Sequence, residues 1–147
     1  MTRSLLLLCT LALGACAAPV ASRHVIAPPG ASRLAPYSPG IRTGDLLFLS
    51  GQVGLRPGTR DLVTGGVAEE TRQSLENVRT VLHAAGLDMP DLVKCTVFLA
   101  DMRDYEAMNT VYVTFFTADP PARSAVGVNG LPLGARVEIE CIARVRK

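Results

Sequence analysis

Apolar side chains recur along this chain with two different periods. Ala68, Thr71, Leu75, Val78, Leu82 and Ala85 fall on one face of a 3.6-residue period, and Arg72, Glu76, Arg79 and His83 on the other. The spacing predicts an amphipathic helix from Val67 that Gly86 stops as a left-handed C-terminal residue. Val93, Cys95, Val97 and Leu99, and later Val137, Ile139, Cys141, Ala143 and Val145, alternate with more polar neighbours and read as strands. Ile41-Arg42-Thr43 and Leu46 to Ser50 are short extended runs either side of Gly44-Asp45, a hairpin signal, and Gly51 to Gly66 reads as loop. After Asp101, a suitable N-cap, Tyr105, Met108, Tyr112 and Phe115/Phe116 recur at helical spacing until Pro120-Pro121. Val111-Tyr112-Val113-Thr114 would suit a strand equally on propensity alone. Arg123 to Val128 adds a further strand before the turn from Gly130 to Gly134.

The order ββαβαββ over residues 37–147 is an α+β layout, with both helices able to cover one face of one mixed sheet. On the last strand Glu138, Glu140, Ile142 and Arg144 point away from that face, mixing carboxylates with apolar groups. A small domain with one uncovered, mixed sheet face commonly buries it by self-association, so an oligomer is expected.

The 147 residues suit one domain, and an apolar fraction of 48% argues against disorder. Three of the 15 basic side chains (Arg3, Arg23, Arg33) and none of the 13 acids precede residue 41. The remainder is therefore nearly neutral, without a basic cluster, and does not look like a nucleic-acid binder. No apolar run reaches the ~18–20 residues needed to span a bilayer. Arg3, the apolar run Leu5 to Leu13 and then Gly14-Ala15-Cys16 have the layout of a secretory signal with a lipobox. The expectation is a signal peptide over residues 1–15, lipidation at Cys16, a flexible tether over 16–36 and the folded domain over 37–147. An ordinary secretory signal or an uncut buried helix is the plainer reading of the same residues. The expected location is exported, lipid-anchored in a bacterial envelope on the periplasmic side, with the outer membrane favoured by Ala17.

Cys95 and Cys141 both sit on the apolar parity of their strands and are expected as two buried thiols; a disulfide would need those strands to be apposed. His24 and His83 have no ligand-spaced companion, so no metal site is expected. There is no nucleotide-binding glycine loop, zinc motif, C-x-x-C or Ser/His/Asp arrangement. What remains is sparse. Arg123 follows Pro120-Pro121-Ala122, a stiff stretch that suits a guanidinium gripping a carboxylate bidentately. Glu138 could act as a base, and Asn109, Tyr37 and Ser50 are the other polar candidates. Each also has an ordinary structural reading: a salt-bridged Arg, a solvated strand Glu, a hydrogen-bonded amide.

Seven stretches decide between these readings. They are Pro36-Tyr37-Ser38-Pro39-Gly40, Leu49-Ser50-Gly51-Gln52, Gln73-Ser74-Leu75-Glu76-Asn77-Val78, Val93-Lys94-Cys95-Thr96-Val97-Phe98, Met108-Asn109-Thr110-Val111-Tyr112, Pro121-Ala122-Arg123-Ser124, and Val137-Glu138-Ile139-Glu140-Cys141-Ile142-Ala143. In this order, from about Pro36 to Arg146, the chain resembles the RidA family (YjgF/YER057c/UK114) of reactive imine/enamine deaminases. The resemblance implies a chorismate-mutase-like fold assembled as a homotrimer, with sites in the clefts between subunits. It implies hydrolysis of 2-imino or enamine acids to 2-keto acids and ammonia, without metal or organic cofactor. Arg123 would hold the substrate carboxylate and Glu138 the attacking water, with Tyr37, Ser50 and Asn109 as pocket residues. Ala125 stands where some members carry Cys, and its backbone carbonyl can still accept a hydrogen bond. Two other readings stay open: a trimeric binding module for small carboxylic acids, for which a water-polarising Glu138 has no use, and the ribonuclease activity ascribed to some relatives, against which the near-neutral charge argues.

Overall fold

The computed structural model describes residues 22–30 and 36–145. One sheet contains six strands, β1 (Arg23–Ile26), β2 (Gly40–Thr43), β3 (Leu46–Val53), β4 (Leu92–Leu99), β5 (Ala122–Gly127) and β6 (Val137–Arg144), in the spatial order β1-β2-β3-β6-β4-β5. Neighbours are antiparallel except β4 and β5. Those two run parallel because a helical crossover, α2 (Tyr105–Tyr112), connects them. Helix α1 (Gly66–Ala84) packs on β3, β6 and α2, so both helices lie on one side of the sheet.

The predicted hairpin closes with Thr43 opposite Leu46 and Gly44 at φ 58°. Helix α1 ends as its glycine requires. Gly86 has φ 72°, its N–H donates to the His83 carbonyl at 3.0 Å, and the Leu87 N–H reaches back to the Leu82 carbonyl at 3.0 Å. The buried stripe of α1 includes Leu75, Val78 and Leu82, all fully buried against Leu47, Val97, Val137, Ile139 and Ala143 of the sheet. Burying each such aliphatic side chain contributes about 1.5–3 kcal/mol relative to exposure. One buried carboxylate interrupts this apolar layer. Glu70 of α1 accepts the Arg136 N–H at 2.8 Å, tying the helix to the start of β6.

The ambiguous stretch around Val111 to Thr114 is helical. Asp101 accepts the Arg103 N–H at 2.9 Å to start a short 3₁₀ turn, Met102–Asp104, which leads into α2, and a second 3₁₀ turn, Val113–Phe115, ends it. Met108, Val111 and Tyr112 are buried, and that tertiary burial outweighs the β-propensity of the run.

Two expectations need correction. The segment over 16–36 was expected as a tether, yet Arg23–Ile26 pairs antiparallel with Gly40–Thr43 and extends the sheet by an edge strand. Four residues of mixed polarity give too short a pattern to read, and their backbone is satisfied by the exposed edge of β2. Cys95 and Cys141 were expected as free thiols; they form a disulfide, because β4 and β6 are neighbours and the two cysteines are directly opposed in the register. Cys16 and residues 1–15 lie outside the described residues.

The uncovered face is as mixed as the alternation of β6 predicts. Phe48, Ile142 and Lys94 form one row across it, Ser124, Thr96 and Glu140 a second, and Val126, Phe98, Glu138 and Val53 a third. Phe48 and Val126 are exposed large apolar side chains on it.

The disulfide gives a direct stability prediction. Chain entropy assigns about 4 kcal/mol to closing a loop with the 46-residue separation of Cys95 and Cys141. Denaturation in guanidinium should show a midpoint that falls on adding reductant to the wild type, and no such fall in a Cys95→Ala/Cys141→Ala variant. A reductant-insensitive wild type would mean that the bond contributes nothing.

Candidate active site

The predicted site residues fall into two groups, on opposite faces of the sheet. The first surrounds Glu138. The pairing of β3 with β6 slips between Leu49 and Gln52, and the bulge presents Ser50 and Gly51 beside Glu138. A Cβ on Gly51 would lie 1.8 Å from Glu138 Oε1 and 2.7 Å from its Cδ, so the carboxylate rests against bare backbone. Ser50 is fixed from both ends: its hydroxyl donates to the Ser38 carbonyl at 2.7 Å and its N–H to the Pro39 carbonyl at 3.0 Å. These bonds hold the segment carrying Tyr37 beside the bulge. Tyr37, Ser50 and Glu138 all line one cavity of about 680 Å³.

Glu138 is half-buried, and its pKa is raised from the ordinary 4.5, first by burial and then by the like charge of Glu140 two residues along the same face. A carboxylate raised this way, in a cavity, is a stronger base than a surface one.

The second group surrounds Arg123. In the parallel register Arg123 stands beside Cys95, whose side chain is buried under the helices, so Arg123 also points to the helix side. Its guanidinium carbon lies 4.6 Å from the centre of the Tyr112 ring and 5.7 Å from that of Tyr105, and Nη2 donates to the Tyr105 hydroxyl at 3.1 Å. No acidic side chain pairs with it among the described residues. The Tyr112 hydroxyl is buried without a hydrogen-bond partner among the described residues, and burial pushes its pKa up to about 12. Asn109 is half-buried on α2, four residues after Tyr105 and three before Tyr112, and so shares their helix face. Ala125, opposite Val97, packs at the edge of the core on this same side.

Arg123 and Glu138 therefore do not meet within one chain. They flank β4 on opposite sides, opposite Cys95 and Phe98 respectively. That is about 10 Å along the strands and about 10 Å across them, with the two side chains on opposite faces. Each chain carries a base-bearing half and a cation-bearing half.

Sequence reasoning passed over four residues that shape these halves. Gly51 sits in a strand, and a strand glycine is itself a signal for a bulge or a close approach. Asn77 donates to the carbonyls of Val53 and Leu55, both at 3.0 Å, and accepts from Gln73 at 2.9 Å, bracing the cavity wall from α1. Gln52 donates to the Ser50 carbonyl at 3.0 Å. Tyr105 read only as one apolar position of a helix, and nothing in its spacing announced a partner on β5.

The family model for endoribonuclease L-PSP matches residues 29–145. A mouse protein named 2-iminobutanoate/2-iminopropanoate deaminase is 48% identical over 110 residues, covering 75% of this chain and 82% of its own. Among solved structures, the yeast protein YEO7 superimposes with a TM-score of 0.81 at 36% identity, over 85% of this chain and all of that one. Escherichia coli TdcF, solved with bound serine, does so with a TM-score of 0.78 at 39% identity, over 84% of this chain and 99% of that one.

These relatives overturn the expected location. The mouse, human and goat deaminases among them are cytosolic proteins, and the likeness to them lends no support to export or a lipid anchor. A short apolar run ending in Leu-Gly-Ala-Cys is a composition several roles can share, and it precedes the residues on which the likeness rests.

The geometry around Glu138 fixes how it should titrate. Its folded pKa lies above its unfolded value, so ionisation opposes folding as pH rises between the two. Glu138→Gln should therefore gain stability relative to wild type above that interval and lose the advantage below it. In an NMR titration of the side-chain carboxyls, Glu140→Gln should lower the Glu138 midpoint by removing the like charge. An unchanged midpoint would assign the whole shift to burial.

Proposed function

The chain belongs to the endoribonuclease L-PSP (RidA) family, and from that premise we propose that it hydrolyses reactive 2-imino and enamine acids to 2-keto acids and ammonia. One observation carries the reading: the Glu138 carboxylate, its pKa raised, lies against the bare backbone of Gly51 in a cavity that Tyr37 and Ser50 also line. A module that only binds small acids has no use for such a base.

The two halves would become one site where the uncovered face of one copy meets the β5 edge of the next, since β5 is an outermost strand of the sheet and carries Arg123 at that edge. A homotrimer closes in a ring, so each Glu138 half would face the Arg123 half of a neighbour. The exposed Phe48 and Val126 on that face favour such burial. Arg123 is preorganised for a carboxylate: two tyrosine rings and one hydroxyl orient its fork while leaving it without an acidic partner.

The chemistry then needs little more than placement. The enamine tautomerises to its imine, and protonation makes the C2 carbon electrophilic. Arg123 anchors the C1 carboxylate and Glu138 takes a proton from water as its oxygen bonds to C2. Glu138 then returns that proton to the amino group of the resulting carbinolamine. As the C–N bond breaks, the hydroxyl gives its proton to Glu138 and the C=O bond forms; the departing ammonia takes that proton away as ammonium, and the 2-keto acid remains. Positioning together with one acid/base group accounts for the rate, since imines already hydrolyse in water.

The test uses 2-iminobutanoate generated in situ by an amino-acid oxidase, with semicarbazide competing for the imine. Wild type should suppress semicarbazone formation. Arg123→Ala should raise KM, and Glu138→Gln should lower kcat by about 10²–10⁴-fold. Gly51→Ala should also lower kcat, because the added methyl displaces the carboxylate. Co-assembly of the Arg123→Ala and Glu138→Gln chains should restore about a quarter of wild-type activity, the fraction of interfaces that pair an intact Arg123 with an intact Glu138. No recovery would refute a site shared between chains, and no suppression by wild type with any imine would refute the deaminase.

A further inference from the structure

The cavity that holds Glu138 is larger than a four-carbon imino acid requires. Its volume of about 680 Å³ lies within the range of about 300–1,000 Å³ that accepts drug-sized ligands. Among the lining that the deamination chemistry leaves unused is the loop between β3 and α1, which contributes Arg56, Thr59 and Arg60.

This loop is built as a small hairpin. Leu55 and Leu62 form a β-bridge, and the Arg56 N–H donates to the Asp61 carbonyl at 3.0 Å. Across its tip the Thr59 N–H donates to the Arg56 carbonyl at 3.1 Å, and the Asp61 N–H to the Thr59 hydroxyl at 3.1 Å. Its base is anchored by Asn77, which holds the Val53 and Leu55 carbonyls, and by the Val63 N–H donating to the Gly54 carbonyl at 2.9 Å. Gly54 in turn lies so close to α1 that a Cβ there would sit 2.7 Å from the Glu70 Cα. The Arg56 side chain is thus carried into the cavity wall on a braced scaffold. Its guanidinium makes no ion pair with an acidic side chain among the described residues. Glu138 is the one carboxylate among the lining residues.

We infer that Arg56 binds a second carboxylate on the substrate side chain, so that this site prefers 2-imino dicarboxylic acids, the imines of acidic amino acids, over neutral ones. The inference rests on the deaminase reading and adds to it a substrate class. A planar guanidinium on a fixed loop can grip a carboxylate through two parallel hydrogen bonds. Arg56 is exposed at the cavity wall, and a charge-assisted grip of that kind discriminates by about tenfold.

The experiment compares kcat/KM for 2-iminoglutarate with that for 2-iminobutanoate, both formed in situ by amino-acid oxidases and followed by semicarbazone competition. Wild type should favour the dicarboxylic imine at least about tenfold, Arg56→Ala should bring the ratio near one, and Arg56→Glu should invert it. Arg42→Ala, on β2 and outside the cavity, should keep the wild-type ratio. A wild type that handles both imines equally, or an Arg56→Ala that leaves the ratio unchanged, overturns the inference and leaves the deaminase standing. If neither imine is hydrolysed, the deaminase reading fails, and calorimetry with 2-oxoglutarate and 2-oxobutanoate decides the remainder. Tighter binding of 2-oxoglutarate that Arg56→Ala abolishes would uphold the cation's role, and equal affinities would overturn it.

Discussion

A carboxylate occupies the space where residue 51 would place a side chain, and much of the molecule's arrangement serves that contact. Only glycine admits the Glu138 oxygens so close to the β3 backbone. The β3–β6 ladder has to slip at that point for Ser50 and Gly51 to be presented, and the slip must be held. Ser50 holds it towards the chain entering β2, Gln52 within the strand, and Asn77 from the far side through α1. The helix is in turn held by its apolar stripe and by Glu70 at the start of β6, the strand that carries Glu138. Core packing and site geometry thus share the same two strands and one helix.

The alternation of side chains along a strand imposes the second constraint. Position 138 faces away from the helices because 137 and 139 face the core, and Arg123 faces the helices because it shares a row with Cys95. No rotamer change brings two groups on opposite faces together. A single chain keeps its base and its anchor apart, and the same uncovered face that exposes Phe48 supplies the reason for chains to associate. In the proposed trimer, self-association would complete a site as well as hide apolar surface.

How much of this the sequence reveals depends on whether the signal is periodic or relational. The 3.6-residue stripe from Val67 to Ala85 and the alternation of Val137 to Val145 are local patterns repeated several times, and the structure follows them closely. Gly86 and Gly44-Asp45 are legible because their backbone demands are local too. Strand order is not. Nothing near Cys95 tells that β6 lies beside β4, so the opposed cysteines read as separate thiols until the register is known. Arg123 stood out by its place behind two prolines, but its tyrosine setting depends on how α2 crosses β5. Gly51, between polar Ser50 and Gln52, read as the start of a loop although it ends up inside β3, and Asn77 acts on carbonyls more than twenty residues away. The strand Arg23–Ile26 is held by pairing alone, which four residues cannot announce.

The restraint of the site matches the difficulty of its reaction. An imine needs no strong nucleophile and no Lewis acid, so orientation is the larger part of what a protein can add. Orientation is also what this fold supplies at each polar group. Glu138 leans on backbone, Ser50 is tied at its hydroxyl and its amide, and Arg123 is stacked over one ring and bonded to the hydroxyl of another. All three side chains stand on strands, whose position is set by ladders and a buried core, and a side chain on such an element holds its geometry better than one on a loop. The loop residues instead line the cavity mouth, where a change of side chain alters which substrate fits without disturbing the groups that react. Chemistry on the strands and selection on the loop leaves the two free to vary separately.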